Sequence, residues 1–246
     1  MKRAIWIGIL AVLAFAVILV VRLPASWVSG ALPPGVACAQ MSGTVWNGAC
    51  EALAVQNTAL GDLQWQLHPV GLLSGALVCE FAIDGPVGTA TAQVAARSGE
   101  RIAVRNLRAH FALNPALMRS LPPNLRGTVD TDLALLRLTH GAIAAAEGRI
   151  DLHDLAQGGD KSSNWGDYTI TFPPGGSGEP TGALRSVRAP LDLQGQVRLT
   201  RTPPGFVLSG FVTPRPDTPA DLLGELGALG TPDAQGKRPV SVEIAF

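Results

Sequence analysis

The chain changes its hydrophobic period once. From Ala4 to Val21 it is apolar without interruption (AIWIGILAVLAFAVILVV), 18 residues with no charge and no proline. As a helix, at about 1.5 Å per residue, the run is roughly 27 Å long, close to the roughly 30 Å hydrocarbon core of a bilayer. Lipid offers no partner to open backbone groups, so the pattern predicts a membrane-spanning helix. Lys2 and Arg3 precede it and Arg22-Leu23-Pro24 follow it. The positive-inside tendency then holds the N-terminus in the cytoplasm, with Arg22 weakening the bias, and puts the remainder outside. A cleaved signal peptide is the rival, but its apolar core is usually about 7–15 residues, with a small-x-small site close behind. Here the core is longer, and the nearest such triplet, Ala37-Cys38-Ala39, lies well beyond it. The pattern favours an anchor retained from Ala4 to Val21.

Beyond residue 35 the period is two. Leu63, Trp65 and Leu67 alternate with Asp62, Gln64 and Gln66, and Leu77, Cys79, Phe81 and Ile83 with Glu80 and Asp84. Similar alternation runs through Ile102–Leu113, Val129–Leu133, Ile150–Leu152, Tyr168–Phe172, Leu191–Leu199, Phe206–Val212 and Val240–Ile244. Strands with one buried and one polar face belong to antiparallel sheets. Helical signals are few. Asn114-Pro115 opens a short candidate, and Thr218-Pro219 opens another whose stripe is Leu222, Leu223, Leu226 and Leu229. Residues 157–167 and 173–182 read as mobile loops around one strand, Tyr168–Phe172. Glycines recur inside strand patterns, as Gly127, Gly148, Gly195 and Gly210, where they permit bulges and sharp coiling. The predicted fold is mainly β: a single transmembrane helix, then one long curled antiparallel meander with one or two short helices. Its divisions are a cytoplasmic tip and anchor at 1–23, a juxtamembrane connector at 24–35 and a β domain at 36–246. Trp27, in the connector, suits the membrane interface.

Composition narrows the function classes. Lys and Arg number 19 and so do Asp and Glu, which gives a net charge of zero. No nucleic-acid surface or polybasic headgroup patch is implied. Of the three cysteines, Cys38 and Cys50 flank Gly43-Thr44-Val45-Trp46, so a hairpin centred there would place them opposite each other. That pairing comes first, Cys50–Cys79 is the alternative, and three buried thiols the plainer one. Catalytic constellations are absent. His68, His110, His140 and His153 are scattered, no zinc-ligand spacing occurs, and Gly205-Phe-Val-Leu-Ser209-Gly210 lacks the spacing of a hydrolase elbow. Asp130 and Asp132 share a strand face and read as solvated teeth rather than an acid/base pair. No enzyme, cofactor or metal is expected.

One ordered set of motifs goes further. Ser42-Gly43-Thr44-Val45-Trp46-x-Gly48 is followed by Leu63-x-Trp65-x-Leu67-x-Pro69 and Leu72-Leu73-x-Gly75. Leu125-x-Gly127, Gly166-x-Tyr168, Pro190-Leu-x-Leu-x-Gly195 and Phe206-x-Leu-x-Gly210-x-Val-x-Pro214 then occur in order. This set resembles the type II secretion system protein N family over nearly the whole chain. The cysteines and the long polar stretch at 157–164 depart from the family pattern. The resemblance implies an accessory component of the machinery that moves folded proteins from periplasm to exterior. It would sit in the inner membrane with its bulk in the periplasm, and its partners would be other inner-membrane or periplasmic subunits. The family is also similar in outline to AsmA-type membrane-anchored sheets, which makes a lipid-handling module the alternative. The motif looks architectural, with Trp46 and Trp65 expected to pack together across adjacent strands.

Overall fold

The computed structural model describes residues 2–32, 34–56, 58–113, 124–158, 163–176, 178–202, 204–227 and 231–245. Helix α1 (Lys2–Val21) covers the apolar run. Twelve of its large apolar side chains, from Trp6 to Val21, are exposed. The side chains at positions 2–5, 8, 11 and 16, Ala4 among them, lie outside the described residues. Among the described residues no helix is long and apolar enough to cross a membrane. The predicted span is therefore present as a helix, without a membrane crossing being shown. A 3-10 helix (Ala25–Ala31) occupies the connector, with Ala25 buried and Trp27 exposed.

Fourteen strands form one antiparallel sheet. They are β1 (Val36–Ala37), β2 (Gln40–Gly43), β3 (Asn47–Val55), β4 (Thr58–His68), β5 (Ala76–Gly85), β6 (Gly88–Arg97) and β7 (Arg101–Ala112). The series continues with β8 (Leu125–Thr139), β9 (Ala142–Gln157), β10 (Ser163–Phe172), β11 (Thr181–Ser186), β12 (Leu191–Arg201), β13 (Pro204–Pro214) and β14 (Arg238–Ala245). From β3 onward each strand pairs with its neighbours in sequence, while β1 and β2 share the outer side of β3. A short helix α2 (Ala220–Gly227) links β13 to β14, burying Leu222 and Leu226. Leu223, expected on the buried stripe, is exposed, at the edge of the face that Leu222 and Leu226 bury. The helix expected from Asn114, and Leu229, lie outside the described residues.

Register turns the sequence period into two continuous faces. One row reads Leu63, Ile83, Ala90, Ala109, Thr131, Ile150, Ile170, Leu184 across successive strands. The adjacent row reads Asp62, Asp84, Thr89, His110, Asp130, Asp151, Thr169, Arg185. The sheet curls about its apolar face, so β9 and β12 touch although two strands separate them in the ladder. Leu155, Tyr168, Leu184, Ala189 and Val197 fill this roll, beside a second cluster of Leu133, Ala146 and Phe172. In β4 to β7 the corresponding side chains Leu63, Trp65, Leu67, Phe81 and Ile83 are only half-buried. Gly195 and Gly210 face each other across β12 and β13, and a Cβ on either would lie 2.5 Å from a carbonyl oxygen of the opposite strand.

Bulges bend the strands. The break in alternation between Val104 and Leu107 marks Asn106, whose φ is +50° beside a register shift. Two bulges are held by the same device. The N–H of Ala52 (φ +52°) donates to Asp62 Oδ1 at 2.9 Å, and the N–H of Asp154 (φ +51°) donates to Asp167 Oδ1 at 2.9 Å. Each aspartate follows a positive-φ glycine, Gly61 or Gly166.

The segment expected to be loop around residue 165 is thus the beginning of β10, and Thr181 starts β11. Ser163, Asp167 and Tyr168 are buried there. Asp167 also accepts from Arg188 Nε at 3.0 Å. The Asp154 N–H and then Arg188 hold the Asp167 carboxyl below the usual carboxylate range, against the opposing effect of burial. Burial pushes the Tyr168 hydroxyl up to about 12, and that hydroxyl donates to the Trp165 carbonyl at 2.8 Å.

Because the Asp167 pKa is lowered on folding, its stabilisation is present above the ordinary aspartate range and is lost as pH falls through the folded value. Asp167→Asn should destabilise the protein by about 1–2 kcal/mol at pH 7. That deficit should narrow as pH falls below the ordinary aspartate value of about 4 and close below the lower folded value, where the wild-type carboxyl takes up its proton. Urea unfolding of both proteins across pH 3–7 measures the difference. A pH-independent deficit would contradict the assignment.

Candidate functional site

The motif residues come together at two places on opposite rims of the sheet. The first is the junction of α1 with β2, β3 and β4. Gly43 ends β2 with φ +84°, a backbone that favours glycine, and Thr44, Val45 and Trp46 make the turn into β3. Pro24 forms an isolated antiparallel bridge with Thr44, and the Val45 N–H donates to the Leu23 carbonyl at 3.0 Å. The Trp46 indole Nε1 donates to the Val20 carbonyl at 2.8 Å. This carbonyl, in the last turn of the helix, also accepts from the Leu23 N–H at 3.3 Å, so the indole is its second and shorter donor.

Trp65 lies one strand further on, in β4. Its Nε1 donates to the Val45 carbonyl at 3.0 Å. It pairs with Gly48, and a Cβ at Gly48 would overlap the Trp65 ring. The absence of a side chain at Gly48 is what lets that indole lie across the hairpin. Trp46 sits in the turn rather than on a strand, and each indole donates to a different carbonyl, which corrects the expected side-by-side pair on adjacent strands. The Leu67 N–H donates to the Trp46 carbonyl at 2.7 Å, so β4 returns to the same rim. Pro69 opens a 3-10 helix (Pro69–Ser74), and Gly75, with φ +69°, delivers the chain to β5. Val21, at the end of α1, is exposed.

Cys38 and Cys50 are joined by a disulfide at this corner, across 12 residues of chain. Cys38 lies between β1 and β2, while Cys50 pairs with Met41 and is buried. Cys79 is the free thiol, half-buried on β5, and burial pushes its pKa up.

The second place is the far rim of the rolled half, where Gly166, Tyr168 and Pro214 lie. A Cβ at Gly166 would collide with the Arg188 carbonyl, and the Asp167 N–H donates to that carbonyl at 2.8 Å. Pro214 pairs with Leu191. The Thr218 hydroxyl donates to the Pro190 carbonyl at 2.6 Å and accepts from the Arg215 N–H at 2.8 Å, so it fastens the corner instead of capping α2.

Sequence reasoning missed one polar grouping because it spans three strands. His110 Nδ1 lies 2.6 Å from Asp130 Oδ1, and His153 Nε2 lies 3.5 Å from Asp130 Oδ2. Arg108 and Asp132, and Arg149 and Asp151, pair beside them. All of these residues except His153 line an open concavity of about 340 Å³ on the polar face. Among the described residues no group of three or more His, Cys, Asp and Glu side chains is arranged to hold a metal ion. Cross-strand register explains the grouping: His110 pairs with Asp130, and His153 with Thr128 two residues away.

Comparison with known proteins agrees with the geometry. A protein of Vibrio cholerae serotype O1 called type II secretion system protein N is 38% identical over 83 residues, a third of each chain (33% and 33%). A protein of the same name from Aeromonas hydrophila is 24% identical over 262 residues, 98% of each chain. No solved structure matches the chain. The family described as type II secretion system (T2SS), protein N matches residues 34–241, from just before β1 into β14. With the ordered motifs lying at two structural corners inside that match, the chain belongs to the type II secretion system protein N family.

Proposed function

We propose that the protein is a non-enzymatic, single-pass inner-membrane component of the type II secretion machinery, holding its curled sheet in the periplasm against other inner-membrane or periplasmic subunits. Family membership supports the role in secretion. The observation that carries the rest is the junction. A helix whose large apolar side chains from Trp6 to Val21 are exposed is pinned by Trp46 to the first corner of the sheet. Outside a bilayer that helix would expose a patch far larger than soluble monomers carry. The Cys38–Cys50 disulfide fits an oxidising compartment and therefore a periplasmic sheet. The motif's polar atoms are engaged with backbone, through Trp46, Trp65 and Tyr168, which favours architecture over chemistry.

The AsmA-type alternative, in which the sheet handles lipid, is favoured by one observation. Leu63, Trp65, Leu67, Phe81 and Ile83 on the apolar face of β4 and β5 are half-buried, whereas the rolled half is filled by its own side chains. An acyl chain laid along the first half is the form this alternative takes. Native mass spectrometry of the detergent-extracted protein is its test, with co-purified lipid expected and a lipid-free mass spectrum counting against it.

Alkaline phosphatase fused after residue 246 should be active, and deletion of the gene should reduce exoprotein in the medium or destabilise partner subunits. An inactive fusion removes the topology; an unchanged secretion profile with intact complexes removes the role. Replacing both Cys38 and Cys50 by alanine should cost about 2–3 kcal/mol of stability, measured by urea unfolding under oxidising conditions. Trp46→Phe keeps the ring and removes the donor to Val20, a loss of about 1 kcal/mol. Cleavage of the 24–32 connector by added protease should accelerate by about fivefold, while the fusion stays active.

A further inference from the structure

The two ends of the sheet are built differently. At the first end, β3 is covered by two strands of two and four residues with a gap between them. The Cys38–Cys50 disulfide crosses that gap, and the 3-10 helix of the connector packs on β2 and β3. Short edge strands, interruptions and a covering segment are the devices by which natural sheets prevent edge pairing. At the other end stands β14, eight residues long and paired with β13 from Val212 through Gly205. Among the described residues no strand pairs its outer side. Pro239 removes one donor near its start, and from Val240 onward the strand is regular.

We propose that the free side of β14 is a docking edge that accepts one extended strand from another subunit of the secretion machinery. The main chain of β14 would supply the hydrogen bonds, and its side chains would set the register. Val240, Val242 and Ile244 continue the apolar face, opposite Gly210, Leu208 and Phe206, while Ser241 and Glu243 continue the polar face. Val242 is 40% exposed at the rim of that face. The incoming strand therefore alternates apolar and polar residues, with its apolar side against this row. The occupant is a strand because an unpaired ladder is complementary to little else, and one end of this sheet is guarded while the other is not. The edge lies eleven strand spacings from the helix junction, about 53 Å along the curled path. The inference rests on the proposed assembly role.

The test uses the full-length protein in its own cells. A photo-cross-linking benzophenone side chain is placed at Ser241 or Glu243, and at Gln40 on the guarded edge as the comparison. The expected result is a cross-link from 241 and 243, absent from 40, to a component of the secretion machinery, mapping to a segment of alternating apolar and polar residues. Val242→Pro removes a ladder donor, and Val242→Lys disrupts the apolar row without touching the backbone. Either should lower the cross-link yield by about tenfold. The Cys38–Cys50 disulfide and protease resistance report that each variant is folded. Cross-linking only to a second copy of the chain, to no component of the machinery, or with unchanged yield in both folded variants overturns the proposal. Complementation of the deletion strain separates this from the broader role. If the wild-type gene restores secretion and both folded variants do so equally, the edge is not used although the role stands; if the wild-type gene has no effect, the role itself fails.

Discussion

A sheet whose strands are apolar on one side needs something to lie against that side, and the described residues supply no second layer. Among them the only α-helix beyond α1 is α2, eight residues long. Burial comes instead from curvature. Bulges at Ala52, Asn106 and Asp154 let strands bend, and Gly195 facing Gly210 lets two backbones approach closely enough for the roll to tighten. The hydrophobic term then acts between strands that are distant in the ladder, as where β9 meets β12. The two halves differ in how far this goes, and the first half keeps an apolar surface that the second has closed.

Curvature needs fastening, because a bulge leaves backbone groups unpaired. The chain solves this twice in one way, with a Gly-Asp pair on the following strand. Gly61-Asp62 holds Ala52 and Gly166-Asp167 holds Asp154. The second instance also recruits Arg188, which together with the Asp154 N–H holds the Asp167 carboxyl low against the opposing effect of burial. Together with the tryptophan junction, these fasteners account for most of the family motif. Its residues hold corners.

Much of this was legible in the sequence, for a simple reason. Strands with one wet and one dry face announce themselves by alternation, and nearly every such stretch is a strand. What escaped lacked the contrast. Strand β6 is rich in alanine and threonine, too small to register as apolar, and β11 has only six residues. Residues 163–167 were expected to be loop because glycine, asparagine and aspartate favour turns, yet the same residues make a bulged strand start once Asp154 and Arg188 are there to bond with. The hairpin carrying Cys38 and Cys50 was recognisable from spacing. The convergence of His110 and His153 on Asp130 was not, because it depends on register between residues 20 and 23 apart in the chain.

Strand order in space equals strand order in the chain from β3 to β14. Each new strand therefore finds its template in the one just made, and no pairing waits for a distant segment. For a chain that emerges in sequence order, assembly can follow emergence. The tryptophan-bound hairpin forms as a seed, and the remainder is laid down hairpin by hairpin. Such vectorial growth leaves only the newest strand exposed at any moment, which limits misassembly of a long β chain.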